Sequence, residues 1–236
     1  MKNNRKVYRD YWWQHAEKRP ALRKAVADLD RILVVALVSR TVMPVGTSTG
    51  QVFSHMLGVF SNGDPGHLAL LSSGIHYTWA VARASTLETR IRYTPSDVFE
   101  TLPLPDVAGS SKLTRLGELL DVTRAQTMME RQLGLTKLYN AVHDSSVSDR
   151  DVQRLRDIHE QIDQAVAEAY GWSDLDLTHS FQQTRQGCRH TLNLAVQTEV
   201  LDRILELNHT LYVREEKGYN KMHPLAKLAP AEDALF

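Results

Sequence analysis

His67-Leu-Ala-Leu-Leu-Ser-Ser-Gly-Ile-His-Tyr-Thr-Trp-Ala-Val-Ala-Arg-Ala-Ser-Thr-Leu-Glu-Thr-Arg-Ile-Arg-Tyr-Thr-Pro-Ser-Asp-Val-Phe-Glu-Thr-Leu-Pro-Leu-Pro105 is the stretch on which the reading of this chain turns. Leu68, Leu71, Ile75, Trp79 and Ala82 recur at three to four residues, which predicts one amphipathic helix with a buried face. Past Ala84 the period changes. Leu87, Ile91 and Tyr93 are apolar and Glu88, Arg90 and Arg92 alternate with them or nearly so, so a strand there would project the three charged residues from one face. Tyr93-Thr94-Pro95 breaks that strand, because proline biases its predecessor away from helix. Ser96 is placed to cap a short helix anchored by Phe99 and Leu102, and Pro103 and Pro105 close it.

Upstream, residues 1–19 are basic and aromatic, with Tyr8, Tyr11, Trp12 and Trp13 among six lysines and arginines. Such residues can hold phosphates and stack on bases, although tryptophans more often pack inward. Pro20 opens a helix to about Asp28, and the β-branched run from Ile32 to Val38 predicts a buried strand. Residues 46–50 read as a turn, 51–60 as a second strand and 61–66 as a loop. From about Ser111 the chain reads as helical, with segments to Gln132, from Thr136 to His143, from a Ser148/Asp151 capping box to Tyr170, and from His190 to Arg214. Residues 172–188 read as polar and irregular. The expected organisation is α+β: a mixed domain with a small sheet over 1–105, a linker at 106–112, a helical subdomain over 113–215 and a loose tail over 216–236.

Composition is ordinary for a globular protein, at 42% hydrophobic and 24% charged residues. One cysteine cannot form an internal disulfide, which fits a reducing cytoplasm, and no signal or membrane-spanning run is visible. Net charge is zero, but residues 1–105 hold 13 Lys or Arg against 8 Asp or Glu, and the remainder 15 against 20. A basic front half suits phosphate binding, and scatter explains a split of this size equally well. The ten histidines form no His-Glu-x-x-His and there is no Cys-x-x-Cys, so no metal site is expected. His76 and His159 sit near apolar helix faces and read as structural.

Five segments carry a resemblance: 8–26, 70–80, 90–105 (RIRYTPSDVFETLPLP), 133–144 (LGLTKLYNAVHD) and 155–177. Together they resemble the target-recognition and following helical region of the large restriction-modification methyltransferases of the MmeI and Eco57I type, to which the methylases of BREX- and DISARM-like phage defence are related. That resemblance implies sequence-specific binding to double-stranded DNA on behalf of an N6-adenine methyltransferase. It also implies base choice just before the Arg92-Tyr93-Thr94 motif, at Glu88 and Arg90, where Glu would accept from cytosine N4 and Arg would donate twice to guanine. The alternative for that pair is a surface ion pair worth under about 1 kcal/mol. Arg83, Arg92 and Lys24 are candidates for phosphate contact. The family's Asn/Asp-Pro-Pro-Tyr/Phe loop and a glycine-rich cofactor turn do not occur, so catalytic residues and a cofactor are not expected in this chain. The resemblance places S-adenosylmethionine in a catalytic domain elsewhere, on a lost segment or a separate methyltransferase subunit. A helical protein-interaction module in a defence complex is the rival expectation.

Overall fold

A computed structural model describes residues 19–87, 89–107 and 109–216, with isolated Lys6 and Asp10. The aromatic arm, Glu88 and the tail therefore lie outside the described residues. The elements are α1 (Pro20–Ala25), β1 (Arg31–Ala36), β2 (Val38–Ser39), β3 (Val45–Ser48), β4 (Leu57–Phe60), α2 (Pro65–Ser72), α3 (Gly74–Arg83), β5 (Ser85–Leu87), β6 (Arg90–Arg92), α4 (Pro95–Val98), α5 (Ser111–Arg131), α6 (Leu135–Val142), α7 (Arg150–Tyr170), β7 (His179–Thr184), β8 (Gly187–Leu192) and α8 (Leu194–Glu216). The expected α+β class is observed. No helix among the described residues is long and apolar enough to cross a membrane.

Strand β1 is central in an antiparallel sheet ordered β3-β1-β4, with Leu33 opposite both Gly46 and Phe60. Its apolar run is continuous because both faces are covered. Ile32 and Val34 join Leu22, Val26 and Val59 in a small cluster that takes in α1. Leu33 and Val35 enter the main core. The expected turn at 46–50 is instead mostly strand β3, and the expected strand at 51–60 shortens to its last four residues.

The helix expected over 68–82 is two helices. Ser73 is extended (φ −72°, ψ 155°), and its Oγ accepts the His76 N–H at 3.1 Å while donating to the Leu70 carbonyl at 2.7 Å. One side chain thus ends α2 and caps α3. Helix α2 is buried from Gly66 to Ser72, so the one-sided pattern that the spacing suggested does not hold there. Its first turn lies against α5 so closely that a Cβ on Gly117 would stand 1.8 Å from the Pro65 carbonyl oxygen. Gly117→Ala is expected to cost about 2–3 kcal/mol by overpacking. A chemical-denaturation midpoint unchanged from wild type would contradict this.

One apolar core runs across residues 106–112. It joins Trp79, Ile91 and Phe99 from the first half to Leu120, Ile162, Val200 and Ile204 from the second, and Val107 is itself buried in it. Two bonds tie the halves further: the Tyr170 hydroxyl to the Pro103 carbonyl (2.8 Å) and Asn208 Nδ2 to the Thr101 carbonyl (2.6 Å). Phe99 and Leu102 are buried as expected, and the Trp79 indole N–H donates to the Val98 carbonyl at 2.9 Å. Three local expectations fail. Thr94, not Ser96, is the N-cap of α4. Asp149 precedes α7, while Asp151 receives a two-bond contact from Arg131 rather than completing a box with Ser148. The segment expected to be irregular contains the hairpin β7–β8, and α8 starts at Leu194.

Candidate nucleic-acid interface

Strand β6 sits between β2 and β5 in a second antiparallel sheet. With side chains alternating, Ile91 is fully buried, and Arg90 and Arg92 are exposed on the opposite face. Val38 and Ser85 stand opposite Arg92 and so share its face. The strand is fixed immediately downstream. The Tyr93 N–H donates to the Leu37 carbonyl at 2.8 Å, its ring is 1% exposed, and its hydroxyl meets His76 Nε2 at 3.1 Å.

Residues 85–92 form a hairpin, β5 and β6 meeting at Leu87 opposite Arg90, so the single strand expected to carry Glu88, Arg90 and Arg92 is corrected. Arg90 and Arg92 do share one exposed face. Glu88 lies outside the described residues. Arg83 is exposed in the last turn of α3, with its guanidinium carbon 5.4 Å from the Trp79 ring centroid, two residues before Ser85. Lys24 is exposed in the last turn of α1, whose Leu22 belongs to the separate small cluster. Arg90 and Arg92 thus share one strand face, Arg83 lies two residues before the strand paired with it, and Lys24 is on a separate element. Arg40 is a candidate the sequence gave no signal for: it is exposed and directly follows β2, whose Ser39 stands opposite Ile91.

The histidines read as structural are so. His76 is 2% exposed; Nδ1 lies 2.7 Å from the Leu71 carbonyl, so Nε2 accepts the Tyr93 hydroxyl. Burial pulls its pKa down to about 4 against the carbonyl's opposing pull. His159 Nε2 meets the Tyr139 hydroxyl at 2.7 Å, and burial with the nearby Arg124 charge brings that ring to about 3. Among the described residues no group of three or more His, Cys, Asp or Glu is placed to hold a metal ion.

Small antiparallel sheets packed on a helical half, with an arginine-bearing hairpin on the outside, define a mixed α+β chain whose exposed chemistry is cationic at one short strand. The fold is similar to that in a solved structure of the Type IIL restriction-modification enzyme MmeI in complex with DNA, with a TM-score of 0.57 and 18% identity over 78% of this chain. The chain spans only 22% of that one. Residues 11–106 match the family model described as MmeI, target recognition domain, and the resemblance seen in the sequence is borne out. No curated protein matches the chain.

Proposed function

We propose that this chain selects DNA sequences for an N6-adenine methyltransferase of a restriction-modification or phage-defence system. The observation that supports the reading best is the outward pair Arg90 and Arg92 on a strand whose Ile91 is locked in the core. A rigid strand holds its exposed side chains in register, which base reading in a groove requires. Glu88 and Arg90 supply base contacts in this reading; Arg83, Arg92 and Lys24 hold phosphates. Double-stranded DNA is the partner. Base flipping and methyl transfer, with S-adenosylmethionine, fall to another polypeptide segment or a separate catalytic subunit.

Selection from a random duplex pool tests this. Glu88→Ala and Arg90→Ala are each expected to relax preference at one base pair, by about 1–3 kcal/mol of discrimination, with general affinity retained. Arg83→Ala and Arg92→Ala are expected to weaken all sequences alike and each to lower the salt slope by about 1. If both base-contact variants select the wild-type sites, the base assignment is wrong. If the wild type selects no sequence at all, the function is wrong. Methyl transfer by this chain alone is expected to be nil.

A further inference from the structure

A cavity of about 40 Å³ lies where α6, α7 and the hairpin β7–β8 meet the joint between α2 and α3. Tyr77, His143, Asp163, His179 and Arg189 are in its wall. Three of them end in buried atoms with no hydrogen-bond partner among the described residues: the Tyr77 hydroxyl, His143 Nε2 and Arg189 Nε. Buried polar atoms are nearly always satisfied, so three left over in one wall call for an explanation.

All three can donate. His143 Nδ1 accepts the backbone N–H of His190 at 3.3 Å. Burial, with the charge of Arg189 next in weight, holds its pKa down at about 2, so the ring is neutral. A neutral imidazole that accepts at Nδ1 carries its proton at Nε2. Arg189 Nε is a permanent donor, and the Tyr77 hydroxyl is free to turn its proton inward.

The wall is also short of negative charge. Arg189 is 4% exposed; Nη1 donates to the Arg40 carbonyl at 3.0 Å and the guanidinium carbon lies 4.2 Å from the Tyr77 ring centroid. No carboxylate pairs with it among the described residues. Asp163, the acid in the wall, is already committed. Its Oδ1 accepts the Gly74 N–H at 2.6 Å and its Oδ2 meets His179 Nε2 at 2.8 Å. His179 Nδ1 faces the Leu177 carbonyl at 2.8 Å, so both ring nitrogens face acceptors and the imidazolium cancels Asp163. Arg189 is thus left as a buried cation without a counter-charge, an arrangement that is strongly disfavoured.

We propose that the cavity binds a small monovalent anion of the halide class, chloride in ordinary solution, held by the Tyr77 O–H, His143 Nε2–H and Arg189 Nε–H. Roughly 10–15 Å³ of such space is enough for one water, so the cavity has room for a small ion and accompanying water. Water could satisfy the donors, but it would leave the charge of Arg189 unbalanced. The site lies under the hairpin that reaches Arg40, so the anion would brace the loop beside β2. This inference does not depend on the DNA-binding reading.

The full chain melted in sodium bromide or chloride, against sodium gluconate at equal ionic strength, tests the site. Bromide and chloride are expected to raise Tm saturably, and gluconate is not. Tyr77→Phe, which removes one donor and keeps the ring under Arg189, is expected to weaken apparent bromide affinity about tenfold. Arg189→Met should abolish the halide effect. Should that variant not fold, anomalous diffraction from wild-type crystals in bromide is expected to place one ion within hydrogen-bonding distance of Arg189 Nε and His143 Nε2. Equal melting in bromide and gluconate, an unchanged bromide response in Tyr77→Phe, or water alone at that position would each overturn the proposal.

Discussion

Arg156→Ala is expected to destabilise the protein by about 4 kcal/mol, read from its urea midpoint. The guanidinium is buried and donates to four backbone carbonyls: Val142 (2.8 Å), Val147 (2.9 Å), Asp144 (2.8 Å) and Ala141 (3.1 Å). Two of these belong to the last turn of α6, where carbonyls have no partner within the helix and the dipole favours a cation. Arg156 therefore caps α6 from a neighbouring helix and fixes the turn after it. Bonds from a charged donor contribute roughly 1.5–3 kcal/mol each, but they share one side chain and do not add in full. Its guanidinium carbon also lies 5.0 Å from the Phe181 ring centroid, so the hairpin would lose a packing partner. Arg156→Lys keeps the charge without the fork and should recover less than half of the loss. A loss below about 1 kcal/mol in Arg156→Ala would show that the carbonyls find other partners.

Acidification is the second large effect. Burial lowers the pKa of His76 to about 4 and, with nearby cations, that of His159 to about 3, from an ordinary 6.5. The unfolded chain then binds more protons than the native one between those values and 6.5, so stability falls as pH drops through that window. From pH 6.5 to 5 each such ring contributes about 1.6 kcal/mol of loss, and the two together about 3. His143, at about 2, and His190, at about 4, act in the same direction and for the same first cause, desolvation. His179 acts oppositely. Burial pushes it down, but the Asp163 hydrogen bond and charge, with Glu160 and the Leu177 carbonyl, leave it raised. Its contribution is present below 6.5 and is lost as pH rises through the native value. His67 is also lowered, again by burial first, so with five rings against one, urea midpoints at pH 5 should lie well below those at pH 7. A flat profile would mean that these rings are charged in the native state.

The physical reason some of this was legible in the sequence lies in sequence distance. The run from Ile32 announced a buried strand, and Leu113, Leu116 and Leu119 announced α5, because local periodicity carries both signals; the face was misplaced, since Leu120 is fully buried while Val122 and Met129 are exposed. The β7–β8 hairpin was missed because His, Gln and Thr on both faces give no apolar alternation, and its Phe181 is itself exposed. Ser73 looked like any residue inside a helix until its two bonds were visible. At the candidate interface, Arg90 and Arg92 were readable from their alternation with Ile91, while Arg40 stands in no pattern. The interior arginines are set by partners far along the chain: Arg124 donates to the Pro44 carbonyl 80 residues away, and Arg189 to that of Arg40 149 away. A single sequence cannot distinguish such arginines from solvated ones.

The continuity of the core from Leu33 to Ile204 bears on biosynthesis. While the ribosome is still translating the middle of the message, the inner surface around Trp79 and Ile91 has emerged without α7 and α8 to close it. Native packing then waits for the codons that specify Val200 and Ile204, and until that point the nascent segment is a substrate for holdase chaperones and for sticking to its neighbours.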